Sequence, residues 1–270
     1  MAERIVARRP IVRIAGQGPI PSMDEVAGEE PLEIRVDGAP VSVTMRTPGH
    51  DFELALGFCL AEGLLGCPEG VTMRYCGDDR GAGSYNVVEV HRRRPAAVSP
   101  ARLRRVATTS ACGVCGSTSI DALRTEVGDL GADAVVVDAD VVVALPDRLG
   151  RHQRVFARTG GLHAAALASP DGELACVRED VGRHNAVDKV LGWAATHGQR
   201  PATGTVLVVS GRVAFEIVQK AALAGVPVVV AVSAPTSLAV DLAASVGMTL
   251  VGFVRGGSMN VYTGAERIRT

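Results

Sequence analysis

Thr205-Val-Leu-Val-Val-Ser-Gly-Arg-Val-Ala-Phe-Glu-Ile-Val-Gln-Lys-Ala-Ala-Leu-Ala-Gly-Val-Pro-Val-Val-Val-Ala-Val232 decides the fold class. Within the strands Thr205 to Val209 and Val228 to Val232, Val206 to Val209 and Val228 to Val232 are continuous apolar runs, the pattern of parallel strands covered on both faces by helices. Val213 to Ala224 between them has helical spacing, so the stretch is one strand-helix-strand unit. The rhythm continues outward. Downstream lie a helix over Thr236–Val246 and a strand over Thr249–Val254. Upstream lie strands near His163–Ser169 and Glu173–Val177 and a helix over Arg183–Thr196. Strands alternating with helices imply an α/β layered domain.

The first half reads differently. Leu32–Val36 and Val41–Thr47 flank Asp37-Gly38, a strong hairpin signal. Pro48 and Gly49 end the second strand. Asp51–Glu62 then carries Phe52, Leu54, Ala55, Leu56, Phe58 and Cys59 at mostly helical spacing, with Gly63 placed to stop it. Val71–Cys76 and Tyr85–Val90 are further strands, Asp121–Glu126 resembles a short helix, and Pro146 is expected in the first turn of a helix running to about Ala157. A smaller, β-rich α+β lobe over 1–106, a cysteine loop over 107–117 and an α/β cofactor-binding domain over 118–270 follow, a division suited to 270 residues.

Composition narrows the function classes. With 47% hydrophobic but only 3% aromatic residues, the core must be built from Val, Ala, Leu and Ile. The charge balance, 28 basic against 29 acidic residues, gives nucleic acid no electrostatic reason to bind. The basic run His91-Arg-Arg-Arg94 is a minor docking hint at most. No apolar run is long enough for a bilayer-spanning helix, because Asp138, Asp140 and Pro227 interrupt the candidates. Met1–Arg13 lacks a signal-peptide core, so no membrane association and a cytoplasmic location are expected.

Six cysteines are present. Cys59 and Cys176 sit in apolar segments and read as core filler. Cys112 and Cys115 occupy Ala107-Thr-Thr-Ser-Ala-Cys-Gly-Val-Cys-Gly-Ser117, a small, polar, glycine-containing run that suits a displayed loop. Structural zinc would need a second ligand pair, which is missing, and a thioredoxin-like disulfide would need a strand before and a helix after the pair. Persulfide carriage suits a loop that visits two partners. Two ordinary loop cysteines is the plain alternative, and the residues alone leave all four readings open.

Other chemistry gathers at strand ends. Ser210-Gly-Arg212 and Ser233-Ala-Pro-Thr236 each precede a helix, where free backbone N–H groups bind phosphate, and a third strand ends at Phe253-Val-Arg-Gly-Gly-Ser258. Ligands of open α/β sheets collect outside the carboxyl ends of strands, so the three turns could line one crevice for a phosphate-bearing molecule. No Gly-x-x-x-x-Gly-Lys-Ser/Thr loop points to nucleotide hydrolysis. The helix Arg183–Thr196 puts Ala186, Val187, Val190, Leu191 and Ala194 on one face, while Arg183, His184, Asn185, Asp188 and Lys189 point elsewhere, a richer set than solubility requires. His184, and His163 after Thr159-Gly-Gly-Leu, have the chemistry of acids or bases but are more often surface or cap residues.

Together these blocks resemble the FdhD family of accessory sulfurtransferases required for active formate dehydrogenase. The match runs through Thr108-Thr-Ser-Ala-Cys-Gly-Val-Cys-Gly116, Thr159-Gly-Gly-Leu-His163, Arg178-Glu-Asp-Val-Gly-Arg-His-Asn-Ala-Val-Asp-Lys189, Ser210-Gly-Arg-Val-Ala-Phe-Glu216, Ser233-Ala-Pro-Thr-Ser237 and Gly252-Phe-Val-Arg-Gly-Gly-Ser-Met-Asn260. The resemblance implies a cytidine-deaminase-like layered domain with a smaller appended lobe, in a homodimer. It implies a sulfurtransferase that takes sulfur from a cysteine desulfurase as a cysteine persulfide. The sulfur passes to the molybdenum cofactor, bis-molybdopterin guanine dinucleotide, before insertion into formate dehydrogenase. Cys112 maps to the carrier, with Cys115 assisting or holding sulfur alternately. Phe253, Val254, Arg255, Gly256, Gly257 and Ser258 map to the cofactor segment, where a guanine nucleotide is also expected. No metal site is expected: His163 is followed by Ala164-Ala165 and Cys112 is preceded by Ala111, so the zinc signatures of a deaminase fail and deamination is set aside. Two rivals remain, a cofactor-binding chaperone that moves no sulfur and a redox-responsive Cys-x-x-Cys protein.

Overall fold

The computed structural model describes residues 5–16, 18–66, 68–76, 85–93, 127 and 129–270. Strands β1 (Val6–Ala15) and β2 (Gly18–Ala27) form a hairpin that the sequence reading did not foresee. It hides no face from water along much of its length: Val12 is 63% and Ile14 82% exposed. A four-stranded sheet follows, from β3 (Glu30–Val36), β4 (Ala39–Arg46), β5 (Thr72–Tyr75) and β6 (Val87–His91), in the order β4-β3-β6-β5. Asp37 and Gly38 join β3 to β4 with φ values of 48° and 83°, the left-handed pair that a two-residue hairpin turn needs. Helix α1 (Asp51–Ala61) lies against this sheet, packing Leu54, Leu56 and Leu60 on Leu32, Ile34, Val88 and Val90.

The larger unit begins with β7 (Val137–Asp138) and α2 (Ala139–His152), then α3 (Phe156–Thr159), β8 (His163–Ala168), β9 (Leu174–Asp180), α4 (Arg183–Thr196), β10 (Val206–Val209), α5 (Phe215–Leu223), β11 (Val228–Ala231), α6 (Ser237–Ser245), β12 (Thr249–Arg255), β13 (Ser258–Thr263) and β14 (Ile268–Arg269). Six strands make one sheet in the order β13-β12-β11-β10-β8-β9, with β10, β11 and β12 parallel and the outer pairings antiparallel. Alternation within the apolar runs explains the layers. Leu207, Val209, Val229 and Ala231 face α4, α5 and α6, while Val206, Val208, Val228 and Val230 face α2. The fold is therefore mixed α/β, with helices on both sides of the central sheet.

The helix around Pro146 departs from expectation. It starts at Ala139 rather than at Pro146, and it ends at His152, with α3 a separate turn. Val142, Leu145 and Leu149 recur at helical spacing and are buried against the sheet, and this burial outweighs the strand preference of the valines and the missing N–H of Pro146.

The side chains of α4 that looked polar are mostly not solvated. Asn185, Asp188 and Lys189 are 8%, 2% and 1% exposed, because α1 crosses over them and joins the two units. The crossing is close: a Cβ on Gly57 would collide with the Asp188 carbonyl, and one on Gly192 with the Glu53 carbonyl. The most buried charges in the seam are paired. Lys189 Nζ lies 2.7 Å from Asp180 Oδ2 and donates to the Thr47 carbonyl at 2.9 Å. Lys220 donates to both Asp188 oxygens at 2.8 and 3.0 Å, and Arg178 grips Glu53 in a fork at 2.5 and 2.7 Å. Arg46, fully buried, donates to both oxygens of Asp51. The cysteine loop expected over 107–117, with Cys112 and Cys115, the short helix expected over Asp121–Glu126 and both expected lobe boundaries lie outside the described residues.

Candidate functional site

β8 runs antiparallel to β10, so its first residue meets the carboxyl ends of the parallel strands. There a cleft of about 660 Å³ opens, lined by Gly160, Gly161, Leu162 and His163 before and at the start of β8, by Ser210 and Val232 after β10 and β11, and by Val254, Arg255 and Gly256 at the end of β12. Pro146, Asp147, Gln153 and Phe156 complete it from α2 and α3. A volume of this size matches sites for cofactor-sized ligands.

The floor is held by backbone and small side chains. Ala164 N donates to Ser210 Oγ at 2.9 Å and Ser210 N returns a bond to the Ala164 carbonyl at 3.0 Å. Gly211 packs closely here, since a Cβ would stand 3.2 Å from His163 Nδ1 and the imidazole would have to shift by a few tenths of an ångström. Burial and then the Arg183 charge lower the pKa of His163, so its imidazole is neutral near pH 7. His184 behaves likewise and more strongly: burial first, then Arg183 and Lys220, lower its pKa to about 4. His184 Nε2 and Arg183 Nε are buried without a hydrogen-bond partner among the described residues, and Nε2 stands 3.9 Å from a Glu216 oxygen, too far to bond.

The β12–β13 corner explains the residues expected to hold cofactor. Phe253 has φ +53°, a left-handed conformation rare for a bulky side chain, within a register irregularity between Gly252 and Arg255. Its N–H donates to the Ser233 carbonyl, which ties the corner to the end of β11. Gly256 and Gly257, with φ of 58° and 79°, form the two-residue turn that pairs Arg255 with Ser258. Val254, Arg255 and Gly256 therefore line the cleft, Phe253 lies under the Arg255 guanidinium at 5.5 Å, and Gly257 and Ser258 only close the hairpin. Val254 is fully buried and acts mainly as core.

The turns before α5 and α6 are less open than their sequences suggest. Val213 N donates to the Ala234 carbonyl and Thr236 N to the Val213 carbonyl, so these backbone donors serve the fold. Ser210 reaches the cleft from the first turn, and Val232 stands there in place of the second. Asp147, Gln153 and Phe156 were not singled out in the sequence. The available signal was Phe156, an aromatic 42% exposed in a chain poor in aromatics.

Two of the described cysteines are poor candidates for sulfur chemistry, while Cys76 is half-buried. Cys59 and Cys176 are buried, as their apolar segments suggested, and burial raises both thiol pKa values, that of Cys176 to about 12. No helix among the described residues is long and apolar enough to cross a membrane.

Comparison with known proteins covers nearly the whole chain. The model of the FdhD/NarQ family matches residues 27–269. A protein of Nocardia farcinica named sulfur carrier protein FdhD is 53% identical, covering 100% of this chain and 97% of its own. Proteins of the same name from Streptomyces avermitilis and Mycobacterium tuberculosis are 53% and 52% identical, over 98% and 97% of this chain and 96% and 98% of theirs. The crystal structure of a putative formate dehydrogenase accessory protein from Desulfotalea psychrophila superposes with a TM-score of 0.76 at 22% identity, covering 98% of this chain and 100% of that one, a likeness of fold.

Proposed function

The chain belongs to the FdhD/NarQ family, and on that premise we propose that it is a sulfurtransferase that carries sulfur for formate dehydrogenase. The Cys112 thiolate attacks the sulfane sulfur of a cysteine desulfurase persulfide, the S–S bond to the desulfurase cysteine breaks and that cysteine leaves as thiolate, and Cys112 holds the sulfur as Cys112-S-SH. Cys115 assists delivery to the molybdenum cofactor by attacking the Cys112 sulfur, forming a Cys112–Cys115 disulfide as hydrosulfide leaves for the cofactor, and a thiol reductant restores the pair. The acceptor, bis-molybdopterin guanine dinucleotide, is cargo; it sits in the cleft at the strand ends before insertion into the dehydrogenase. The chain works in the cytoplasm as a homodimer.

One observation carries the reading from the geometry: the cleft sets Arg255, a cation with no carboxylate partner among the described residues, beside glycine turns in a cavity of about 660 Å³, as an anionic cofactor requires. Among the described cysteines, burial disqualifies Cys59 and Cys176 as carriers; Cys76 is only half-buried, and it is the family resemblance that favours the Cys112-Gly-Val-Cys115 pair over it. The test is activation of formate dehydrogenase in cells lacking the wild-type chain. A Cys112→Ala variant should keep its melting temperature and lose activation, whereas full activation by that variant excludes Cys112 as obligatory carrier. A chaperone that moves no sulfur would retain activation with both cysteines changed.

A further inference from the structure

Two opposite charges in the cleft do not neutralise each other. Asp147 enters from α2 and Arg255 from the end of β12, and neither side chain makes an ion pair or hydrogen bond with a described residue. Arg255 stacks on Phe253. Phe156, on the same wall as Asp147, takes part in no ring pair among the described residues. A carboxylate in a cleft that recognised phosphate alone would only repel it. The pairing makes chemical sense for a ligand with an anionic end and, apart from it, a flat ring that presents N–H donors.

We propose that Asp147 is a specificity-determining residue that reads the base of the nucleotide portion of the cargo, selecting guanine over adenine. The inference rests on the reading of this cleft as the cofactor site. A carboxylate is an acceptor only. Guanine offers it two adjacent donors, the ring N1–H and the 2-amino group, whereas adenine sets a lone pair on N1 next to its amino group, so one carboxylate oxygen meets a lone pair. Hypoxanthine keeps the N1–H and lacks the 2-amino group. Phe156 supplies a face for stacking, indifferent to which base it meets. Arg255 and the Gly256 turn take the diphosphate, whatever base is attached.

The experiment is calorimetric titration of the full chain with GDP, IDP and ADP. Wild type should bind GDP most tightly, IDP next and ADP least. Asp147→Asn and Asp147→Ala should each reduce the preference for GDP over ADP by about 10- to 100-fold, the weight of charge-assisted hydrogen bonds. Arg255→Ala should weaken all three nucleotides by a similar factor and leave their ratios intact. Both side chains are exposed and form no ion pair among the described residues, so the variants should melt like wild type. Equal wild-type affinity for GDP and ADP, or an unchanged ratio in both Asp147 variants while Arg255→Ala still weakens binding, overturns the assignment of Asp147 alone. Failure of all three to bind wild type, or no weakening by Arg255→Ala, overturns the cofactor-site reading beneath it.

Discussion

Replacing Lys189 by Met is the most demanding test of the seam between the two units. Lys189 and Asp180 are 1% and 0% exposed, and the ammonium holds the carboxylate at 2.7 Å while donating to the Thr47 and Glu179 carbonyls at 2.9 and 3.3 Å. Methionine fills most of the volume but leaves a buried carboxylate without its cation, a loss worth about 3–5 kcal/mol. Asp180 keeps three neutral donors, Thr47 N, Gly182 N and Asn185 Nδ2 at 3.1, 2.8 and 3.0 Å, which pulls the expectation to the lower end. The two orphaned carbonyls add about 1 kcal/mol each, so a total of about 5 kcal/mol is expected. For a chain of this size that lowers the melting temperature by on the order of 10 °C. Urea titration followed by circular dichroism measures it, with the slope unchanged and the midpoint lowered. The double variant Lys189→Met with Asp180→Asn should recover part of the loss, because the orphaned charge is gone. A cost below about 1 kcal/mol for Lys189→Met would refute the claim that this pair is closed to water.

Gly57→Ala should cost at least about 3 kcal/mol, seen as a lower urea midpoint, because the added methyl forces α1 away from the Asp188 carbonyl. Acid should expose the Arg178–Glu53 fork: against a burial cost that raises it, Arg178 and His50 hold the Glu53 pKa near 2, below its ordinary 4.5. A carboxylate depressed on folding stabilises above its unfolded pKa, so about 3 kcal/mol should be lost as pH falls from 4.5 towards 2, and Glu53→Gln should flatten that part of the stability profile. Native protein treated with a thiol reagent near pH 7 should leave Cys59 and Cys176 unlabelled until unfolded, as read by peptide mapping.

Whether the sequence disclosed an element depended on whether burial dictated its residues. The β10 and β11 runs were plain, because both faces of those strands are covered and every position had to be apolar. The β3–β4 hairpin was equally plain, since Asp37-Gly38 can adopt the left-handed turn. The β1–β2 hairpin was not, because Pro10, Pro19, Pro21 and three arginines break strand propensity and no buried face imposes a period. The start of α2 was hidden by Asp140 and three successive valines, whose helical register shows only once Val142 is seen against the sheet. At the site, Arg255 and the Gly256 turn were legible as an exposed cation beside glycines. Asp147 was not, for a lone acid on a helix surface looks like solvation until the opposite wall of the cleft is known.

The claim that sulfur rides on the Cys112-Gly-Val-Cys115 pair has one direct test. The purified chain, incubated with a cysteine desulfurase and cysteine and then mapped by mass spectrometry without reductant, should show one added sulfur atom on the peptide that carries Cys112 and Cys115. Cys59 and Cys176 should show none. No added sulfur on that peptide, or sulfur found only on Cys76, would contradict the account.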